Sequence, residues 1–219
     1  DAQAAPLASR AGKLLADMRA TCPQLEDLVF AHRHEVTVAA NWKTVIDNNH
    51  ECYHCATNHP TLMQLVGYEG KARWSDDGIP FSHAVEVNAL ANGAYALNAD
   101  ALAQQALFGF VFPTLIPLMF PGSPSLALLQ VIPAGVERTI ERWDFLFLDR
   151  EPGVQERALI DYIRNALIPE DTGLCERVQS GLHSRGYRQG RFVVARDHPE
   201  FSEHHVHFFQ KMVHDALQA

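Results

Sequence analysis

The chain has 219 residues, of which 47% are hydrophobic and 20% charged, as is usual for a globular protein. At this length roughly 70% of the unfolded surface can be buried, so the core needs no disulfide. The net charge of −8 argues against nucleic acid or an anionic membrane as partner, because both attract basic surfaces. No signal peptide, long apolar run or disulfide-framework spacing of the four cysteines is present, so we expect a cytoplasmic protein.

The first part of the chain predicts a helix, a strand and a second helix. Residues 7–20 have apolar positions at helical spacing, and residues 28–39 alternate and are rich in β-branched side chains. The pattern from Trp42 to about Asn58 is helical, and Pro60 is expected to end it.

The rest of the chain predicts grouped strands followed by helices. We expect strands at 81–88, 107–116, 125–133 and 137–148, and helices at 99–107, 154–182 (interrupted near Pro169) and 202–217. The Pro-Ala-Gly sequence after the third of these strands predicts a hairpin, hence antiparallel pairing. Grouped strands between helices indicate the α+β class. Because no linker divides the chain, we expect one domain over residues 1–219, and its start at Asp1 suggests part of a longer or processed polypeptide.

The segment 41–60, NWKTVIDNNHECYHCATNHP, carries most of the chemical information. On a continuous helix Asp47, Glu51 and His54 lie at i, i+4 and i+7, within one narrow stripe, with His50 close to it. Two carboxylates and an imidazole on one face are unusual for a core helix. Spacing alone leaves open whether this stripe binds a metal or is an ordinary polar surface.

His59 would point away from His54 if the helix continued to it. Pro60 changes this expectation, because the residue before a proline is displaced from the α region. His59 is therefore predicted to lie just past the helix end and to turn back toward His54.

Cys52 and Cys55 allow other readings of the same segment. Together with His54 or His59 they could bind a structural zinc ion, although no second CxxC or HxxxH motif exists. Cys52-Tyr53-His54 also matches the first half of a Rieske cluster motif. Its second half, Cys-x-x-His, is absent, so this chain is not expected to carry the iron–sulfur cluster.

The pattern NWK-x3-D-N-x2-ECYHC-x3-HP resembles the mononuclear-iron motif of Rieske ring-hydroxylating oxygenase α subunits. The resemblance is greatest to the branch with carnitine, glycine betaine and choline monooxygenases and stachydrine demethylase. It implies that His54 and His59 are iron ligands and that Glu51 is a bridging carboxylate for electron transfer.

A second match, EDTGLCERVQSGLHSRGY, resembles the family segment that supplies the third iron ligand, which implies Asp171. Without the resemblance, Glu170 and Asp171 would be interpreted as acidic residues in a first helical turn that complement the helix dipole. Two histidines and a carboxylate form the facial triad of Fe(II) oxygenases. Glu170 and Glu176 are the alternative ligands.

The resemblance also implies a fold and partners. The fold is the helix-grip, START-like fold, with a curled antiparallel sheet around a long helix. Electrons from NAD(P)H would pass through a reductase to a Rieske [2Fe-2S] cluster, which lies in a part not present in this chain. From there they would reach mononuclear Fe(II) in a neighbouring subunit of a homotrimer, and O₂ would be activated at that iron.

The expected substrate is a small quaternary ammonium or betaine that undergoes monooxygenation or N-dealkylation. The alternatives are an aromatic ring for dihydroxylation, a metal-free helix-grip ligand-binding domain, and a zinc-stabilised interaction domain. Aromatic faces can hold a quaternary ammonium by cation–π contact. Alternating aromatic residues of the predicted strands either pack the core or line the cavity: Phe108, Phe110, Phe112, Trp143, Phe145 and Phe147. The residues predicted to bind substrate are Trp74, Tyr95, Phe112 and Phe120, with Asp76, Asp77 and Glu86 as counter-charges.

Overall fold

The structure is a computed structural model, and it describes residues 6–66, 73–75, 81–87, 92–97, 105–197 and 201–218. The α-helices are α1 Leu7–Thr21, α2 Trp42–Asn49, α3 Cys55–Asn58, α4 Pro60–Leu65, α5 Val154–Tyr162, α6 Ile168–Leu182 and α7 His204–Gln218. A 3₁₀ turn, Leu25–Asp27, precedes β1, and a π-helical segment, Ile163–Leu167, joins α5 to α6. Among the described helices none is both long and apolar enough to cross a membrane.

The strands form one antiparallel sheet, which confirms the α+β prediction. They are β1 Val29–Val38, β2 Arg73–Ser75, β3 Phe81–Glu86, β4 Gln105–Phe110, β5 Leu115–Met119, β6 Ser125–Gly135 and β7 Arg138–Phe147. Their order is β1-β7-β6-β5-β4-β3-β2. The described sheet is therefore open, with β1 and β2 at its two edges, rather than closed on itself.

Helices cover both faces of the sheet. On β6, Leu126 packs with Leu14 and Met18 of α1 in a small core. Ala127 and Leu129 belong to the main core, which also contains buried residues of α2, α5, α6 and α7. Because successive side chains of a strand point to opposite faces, α1 lies on one face and the other helices lie on the face that carries the polar residues described below.

The predicted helix from Trp42 to Asn58 is wrong in its middle. The helix α2 ends at Asn49, and the chain turns before α3. The carboxylate of Glu51 accepts hydrogen bonds from the backbone N–H groups of Tyr53 and His54, and such local bonds compete with helix continuation. Asp47, Glu51 and His54 therefore do not share one helical stripe.

Pro60 begins a helix instead of ending one. It is the first residue of α4, a position where its missing N–H costs nothing. The preceding His59 has φ −121° and ψ 61°, outside the α region, as expected before proline. The predicted turn of His59 toward His54 is confirmed.

Three other predicted elements differ from the structure. The strand predicted at 107–116 is two strands, β4 and β5, separated by a turn at Val111–Thr114. Most of the helix predicted at 99–107 lies outside the described residues, and its last three residues belong to β4. No interruption occurs at Pro169, because the π-helical segment before it joins α5 and α6 into one helical run.

Candidate metal centre

Three side chains from two separate parts of the chain converge on one face of the sheet. His54 and His59 flank the short helix α3, and Asp171 lies in the first turn of α6. Their ligand atoms all lie within 4.8 Å of one another. His59 is 2% exposed, and the side chains of His54 and Asp171 are 13% and 23% exposed, so the group is mostly buried but not closed off from the surface.

The distances between these three side chains fit a shared cation. His54 Nε2 and His59 Nε2 are 3.1 Å apart, and Asp171 Oδ1 lies 2.9 Å from His59 Nε2 and 3.6 Å from His54 Nε2. Donors bound about 2.1 Å from one metal at right angles are about 3.0 Å apart. The donor set therefore suits a metal with three ligands on one side.

Each of the three side chains contacts a further polar group. Glu51 Oε1 lies 2.5 Å from His54 Nδ1, and Glu170 Oε2 lies 2.8 Å from His59 Nδ1. A carboxylate beside Nδ1 accepts a hydrogen bond from the N–H at that atom. This tautomer leaves the lone pair of Nε2 directed at the metal position. Asn48 donates to Asp171 Oδ1 at 2.7 Å; the sequence reading missed this contact, since nothing in the sequence pairs it with a residue 123 positions away.

The charges of the cluster are strongly coupled. Burial opposes a positive charge on His54, but the carboxylates of Asp171 and Glu51 outweigh it and raise its pKa to about 9. The pKa of His59 is raised in the same way, against burial, mainly by Asp171. Burial would raise the pKa of Asp171, yet the hydrogen bonds of both imidazoles hold it far below its usual range. The site thus favours positive charge between the three side chains.

The neighbouring acids lie outside this donor set. Glu170 contacts the far side of His59, and Glu176 Oε1 accepts from the backbone N–H of Ala39 at 3.0 Å. Asp47 bonds to Gln210 of α7 at 2.9 Å. Neither of the two alternative ligands from the sequence reading therefore belongs to the cluster.

Cys52 and Cys55 form a disulfide, which the sequence reading did not predict. Their Cα atoms are 4.9 Å apart, within the usual range for such a bond. With the two sulfurs bonded to each other, the structure does not support the zinc alternative.

A cavity opens beside the three converging side chains. Its described lining includes His54, His59 and Asp171 together with aromatic side chains from the sheet and from the residue after β5, which are Phe108, Phe110, Trp143 and Phe120. Phe108 and Phe120 meet edge to face, with ring centroids 5.8 Å apart. The cavity is therefore polar at the cluster and aromatic along the sheet.

Of the four residues predicted to bind substrate, Phe120 lines this cavity. Tyr95 is buried elsewhere, with its hydroxyl donating to the Pro121 carbonyl at 2.8 Å, and Phe112 follows the end of β4 away from the described lining. Only the backbone of Trp74 is described, in β2. Among the predicted counter-charges Glu86 is exposed, and Asp76 and Asp77 lie outside the described residues.

A surface groove reaches the cluster from the other side. Its described lining includes Glu51, His54, Tyr187, Arg188 and Arg191. Asn48, Glu51 and His54 line both the groove and the cavity. These three residues therefore lie between the two spaces.

The donor set and its surroundings match one class of metal site. Two imidazoles and one carboxylate, each supported by a further polar group, form the 2-His-1-carboxylate arrangement of non-haem iron oxygenases. Here the three side chains come from α6 and from the two ends of α3, on one face of an antiparallel sheet.

The chain belongs to the family described as ring hydroxylating alpha subunit (catalytic domain), whose profile matches residues 25–219. It is 30% identical over 201 residues to the carnitine monooxygenase oxygenase subunit of Acinetobacter baumannii, with 88% of this chain and 52% of that protein covered. It is 26% identical over 196 residues to the chloroplastic choline monooxygenase of Beta vulgaris, with 88% and 41% covered. The chain thus spans about half the length of these curated relatives.

Solved structures agree with this assignment. The structure of a quaternary ammonium Rieske monooxygenase matches 98% of this chain and 57% of its own, at 27% identity and a TM-score of 0.87. The complex of the quaternary ammonium Rieske monooxygenase CntA with L-carnitine matches with a TM-score of 0.81, at 27% identity over 98% of this chain and 56% of its own. Naphthalene 1,2-dioxygenase, at 14% identity, shares the fold, with a TM-score of 0.71 over 98% of this chain and 62% of its own. The helix-grip fold expected from the sequence is confirmed.

Proposed function

We propose that this chain is the catalytic part of a Rieske-type oxygenase and binds one Fe(II) through His54, His59 and Asp171. The observation that carries the proposal is the approach of the two Nε2 atoms to 3.1 Å beside Asp171, in a chain of the ring-hydroxylating family. When bound, the iron would supply O₂ activation at coordination positions left open by three protein ligands.

The chain's own residues would orient the iron and exclude water. Glu51 and Glu170 fix the two imidazole rings at their Nδ1 atoms, and Asn48 fixes the carboxylate of Asp171. Phe108, Phe120 and the other aromatic side chains keep the far side of the cavity apolar. A substrate carbon would thus be held in a dry space beside the ligands, which limits side reactions.

The proposed substrate is a small quaternary ammonium or betaine, which undergoes monooxygenation or N-dealkylation. The relatives named above act on carnitine and choline, and the aromatic lining of the cavity suits a cation. Hydroxylation at a carbon bonded to nitrogen gives a carbinolamine, which collapses to an aldehyde and the dealkylated amine.

The proposed partners are a Rieske [2Fe-2S] domain of a neighbouring subunit, within a homotrimer, and a reductase that uses NAD(P)H. Glu51 would bridge His54 to the iron–sulfur cluster of that neighbouring domain. It is placed to do so because it lines the surface groove that leads to the three proposed iron ligands. A cytoplasmic location is part of the same proposal, and residues 1–219 would form one catalytic domain.

Iron analysis and product analysis test the two halves of the proposal separately. After anaerobic loading with Fe(II) and desalting, we expect about one iron per chain, and none in the Asp171→Asn variant. With the Rieske domain, reductase and NADH supplied, oxygen consumption should depend on a quaternary ammonium and release aldehyde. Zinc instead of iron would refute the metal assignment; a cis-diol from an arene without aldehyde from any ammonium compound would refute the substrate class.

A further inference from the structure

A fully buried carboxylate lies behind the aromatic wall of the cavity. Glu141 is 3% exposed and shares the inward face of β7 with Trp143, Phe145 and Phe147. Its side chain accepts a hydrogen bond from Trp143 Nε1 at 3.0 Å. Among the described residues no lysine, arginine or histidine forms an ion pair with it.

Core packing does not explain an acid at this position. Burying a carboxylate without a cation costs free energy that a leucine or methionine of similar size would not. Burial and the charge of Asp171 raise the pKa of Glu141, and the indole N–H lowers it, with the result at about 7. A positive charge placed nearby would favour the ionised form and offset this cost.

Trp143 connects Glu141 to the cavity. Trp143 lines the cavity together with His54, His59 and Asp171, and its ring stacks on Phe145 with centroids 6.5 Å apart. A cation against this indole would therefore meet an aromatic ring with a carboxylate at the ring's N–H. Electron density drawn from the carboxylate through that hydrogen bond strengthens the attraction of the ring for a cation.

We propose that Glu141 and Trp143 act together as the cation-recognition element of the cavity, selecting a quaternary ammonium over a neutral group of the same shape. The inference rests on the proposed function, since it names the residues that would recognise the proposed quaternary ammonium substrate. Trp143 would touch the ammonium, and Glu141 would be a positioning residue that acts through the indole.

Pairs of probes that differ only in charge test this directly. One pair is choline and 3,3-dimethylbutan-1-ol, and the other is glycine betaine and 3,3-dimethylbutanoate; in each, carbon replaces the charged nitrogen. Calorimetry of the iron-loaded chain gives the ratio of the two dissociation constants, here called the cation preference. We expect a cation preference of about tenfold or more in the wild type, where tenfold corresponds to about 1.4 kcal/mol.

Glu141→Gln keeps an oxygen that accepts the indole N–H but removes the charge. We expect it to lower the cation preference about tenfold, to leave binding of the neutral probe unchanged, and to melt at the same temperature or higher. Trp143→Leu, which removes the ring, should lower the preference as well and serves as a second variant if Glu141→Gln does not fold. The matched control is Asp144→Asn, which removes a charge from the opposite face of β7, where Asp144 pairs with Arg33. This variant should leave the cation preference unchanged.

The outcomes separate this inference from the proposed function. A wild-type cation preference that both Glu141→Gln and Trp143→Leu retain would overturn the inference and leave the proposed substrate class standing. If the wild type binds neither ammonium compound, or binds each no better than its carbon analogue, both this inference and the proposed substrate class are overturned.

Discussion

Glu51 and Glu170 occupy equivalent places on opposite sides of the imidazole pair. Glu51 Oε1 lies 2.5 Å from His54 Nδ1, and Glu170 Oε2 lies 2.8 Å from His59 Nδ1. In the described part of the chain Glu51 also lines the surface groove, and Glu170 does not. Two carboxylates with the same contact to an imidazole thus differ in whether they line the groove, where we propose that the Rieske domain binds.

This difference predicts different effects of the same substitution. Glu51→Gln should still bind one iron at saturating Fe(II), with an affinity about 10–100-fold weaker, but should lose coupled turnover with the Rieske domain and reductase. Glu170→Gln, the matched control, should weaken iron binding similarly and keep the coupling. Iron titration and the ratio of product formed to NADH consumed measure the two effects. Normal coupling in Glu51→Gln would refute the bridging role, and complete loss of iron would make Glu51 a ligand.

The ligand assignment predicts which acids of α6 matter for the metal. Asp171→Asn should reduce bound iron from about one per chain to near zero, because an amide replaces the anionic ligand and the cluster loses the charge that favours a cation. Glu176→Gln is the control, since its carboxylate bonds to the Ala39 backbone, and it should keep the iron. Elemental analysis of both variants after the same loading decides between them; iron retained by Asp171→Asn would exclude that residue as a ligand.

The local part of this site follows from the sequence, and the long-range part does not. Pro60 restricts His59, so its turn toward His54 could be predicted from steric rules alone. Asp171 is 112 positions from His59, and only the resemblance to a family identified it. Glu141 lies on the same face of β7 as Trp143 and Phe145, but strand alternation predicts only the face of a residue and not the contacts of its carboxylate.

The end of α2 illustrates a different limit. Helical periodicity continues past Asn49, and no glycine or proline interrupts it before Pro60. The helix ends because the Glu51 carboxylate binds the N–H groups of Tyr53 and His54. This competition depends on the conformation of one side chain, Glu51. The spacing of hydrophobic residues along the sequence carries no information about that conformation.

The disulfide predicts a response to reductants. Peptide mapping without reduction should link Cys52 to Cys55 and leave Cys22 and Cys175 as free thiols. Closing so short a loop contributes about 2 kcal/mol, so dithiothreitol should lower the melting temperature by about 4–8 °C. The Cys52→Ser, Cys55→Ser double variant is the control and should not respond. Alkylation of both residues in the native, unreduced protein would contradict the prediction.

The division of labour between domains predicts that the isolated 219-residue chain is catalytically silent. It contains no Cys-x-x-His half of a Rieske motif, so electrons from NADH have no route to the proposed iron. An oxygen electrode should record no consumption above background with iron-loaded chain, NADH and any ammonium compound. Adding the Rieske domain and reductase should make consumption substrate-dependent, and turnover without them would show that the chain accepts electrons by another route.

Asp47 predicts a pH dependence of stability. It lies beside the groove, Oδ2 accepts from Gln210 at 2.9 Å, and buried Oδ1 has no hydrogen-bond partner among the described residues. Burial raises its pKa from 3.8 to about 7, despite the Gln210 hydrogen bond, which lowers it. Because the folded chain holds this proton more tightly than the unfolded chain, the stability it contributes is complete below about pH 4 and is lost as the pH rises to about 7.

Asp47→Asn should remove that dependence. Each unit of pKa shift corresponds to about 1.4 kcal/mol, so the variant should be more stable than the wild type by up to about 4 kcal/mol at pH 8 and similar to it at pH 4. Asp161→Asn is the control, since Asp161 is 60% exposed and pairs with Arg164 at the surface. Urea unfolding at several pH values from 4 to 8 gives the difference in unfolding free energy for each variant. A difference for Asp47→Asn that stays constant over this range would mean that Asp47 is ionised throughout and that its burial is compensated by a partner.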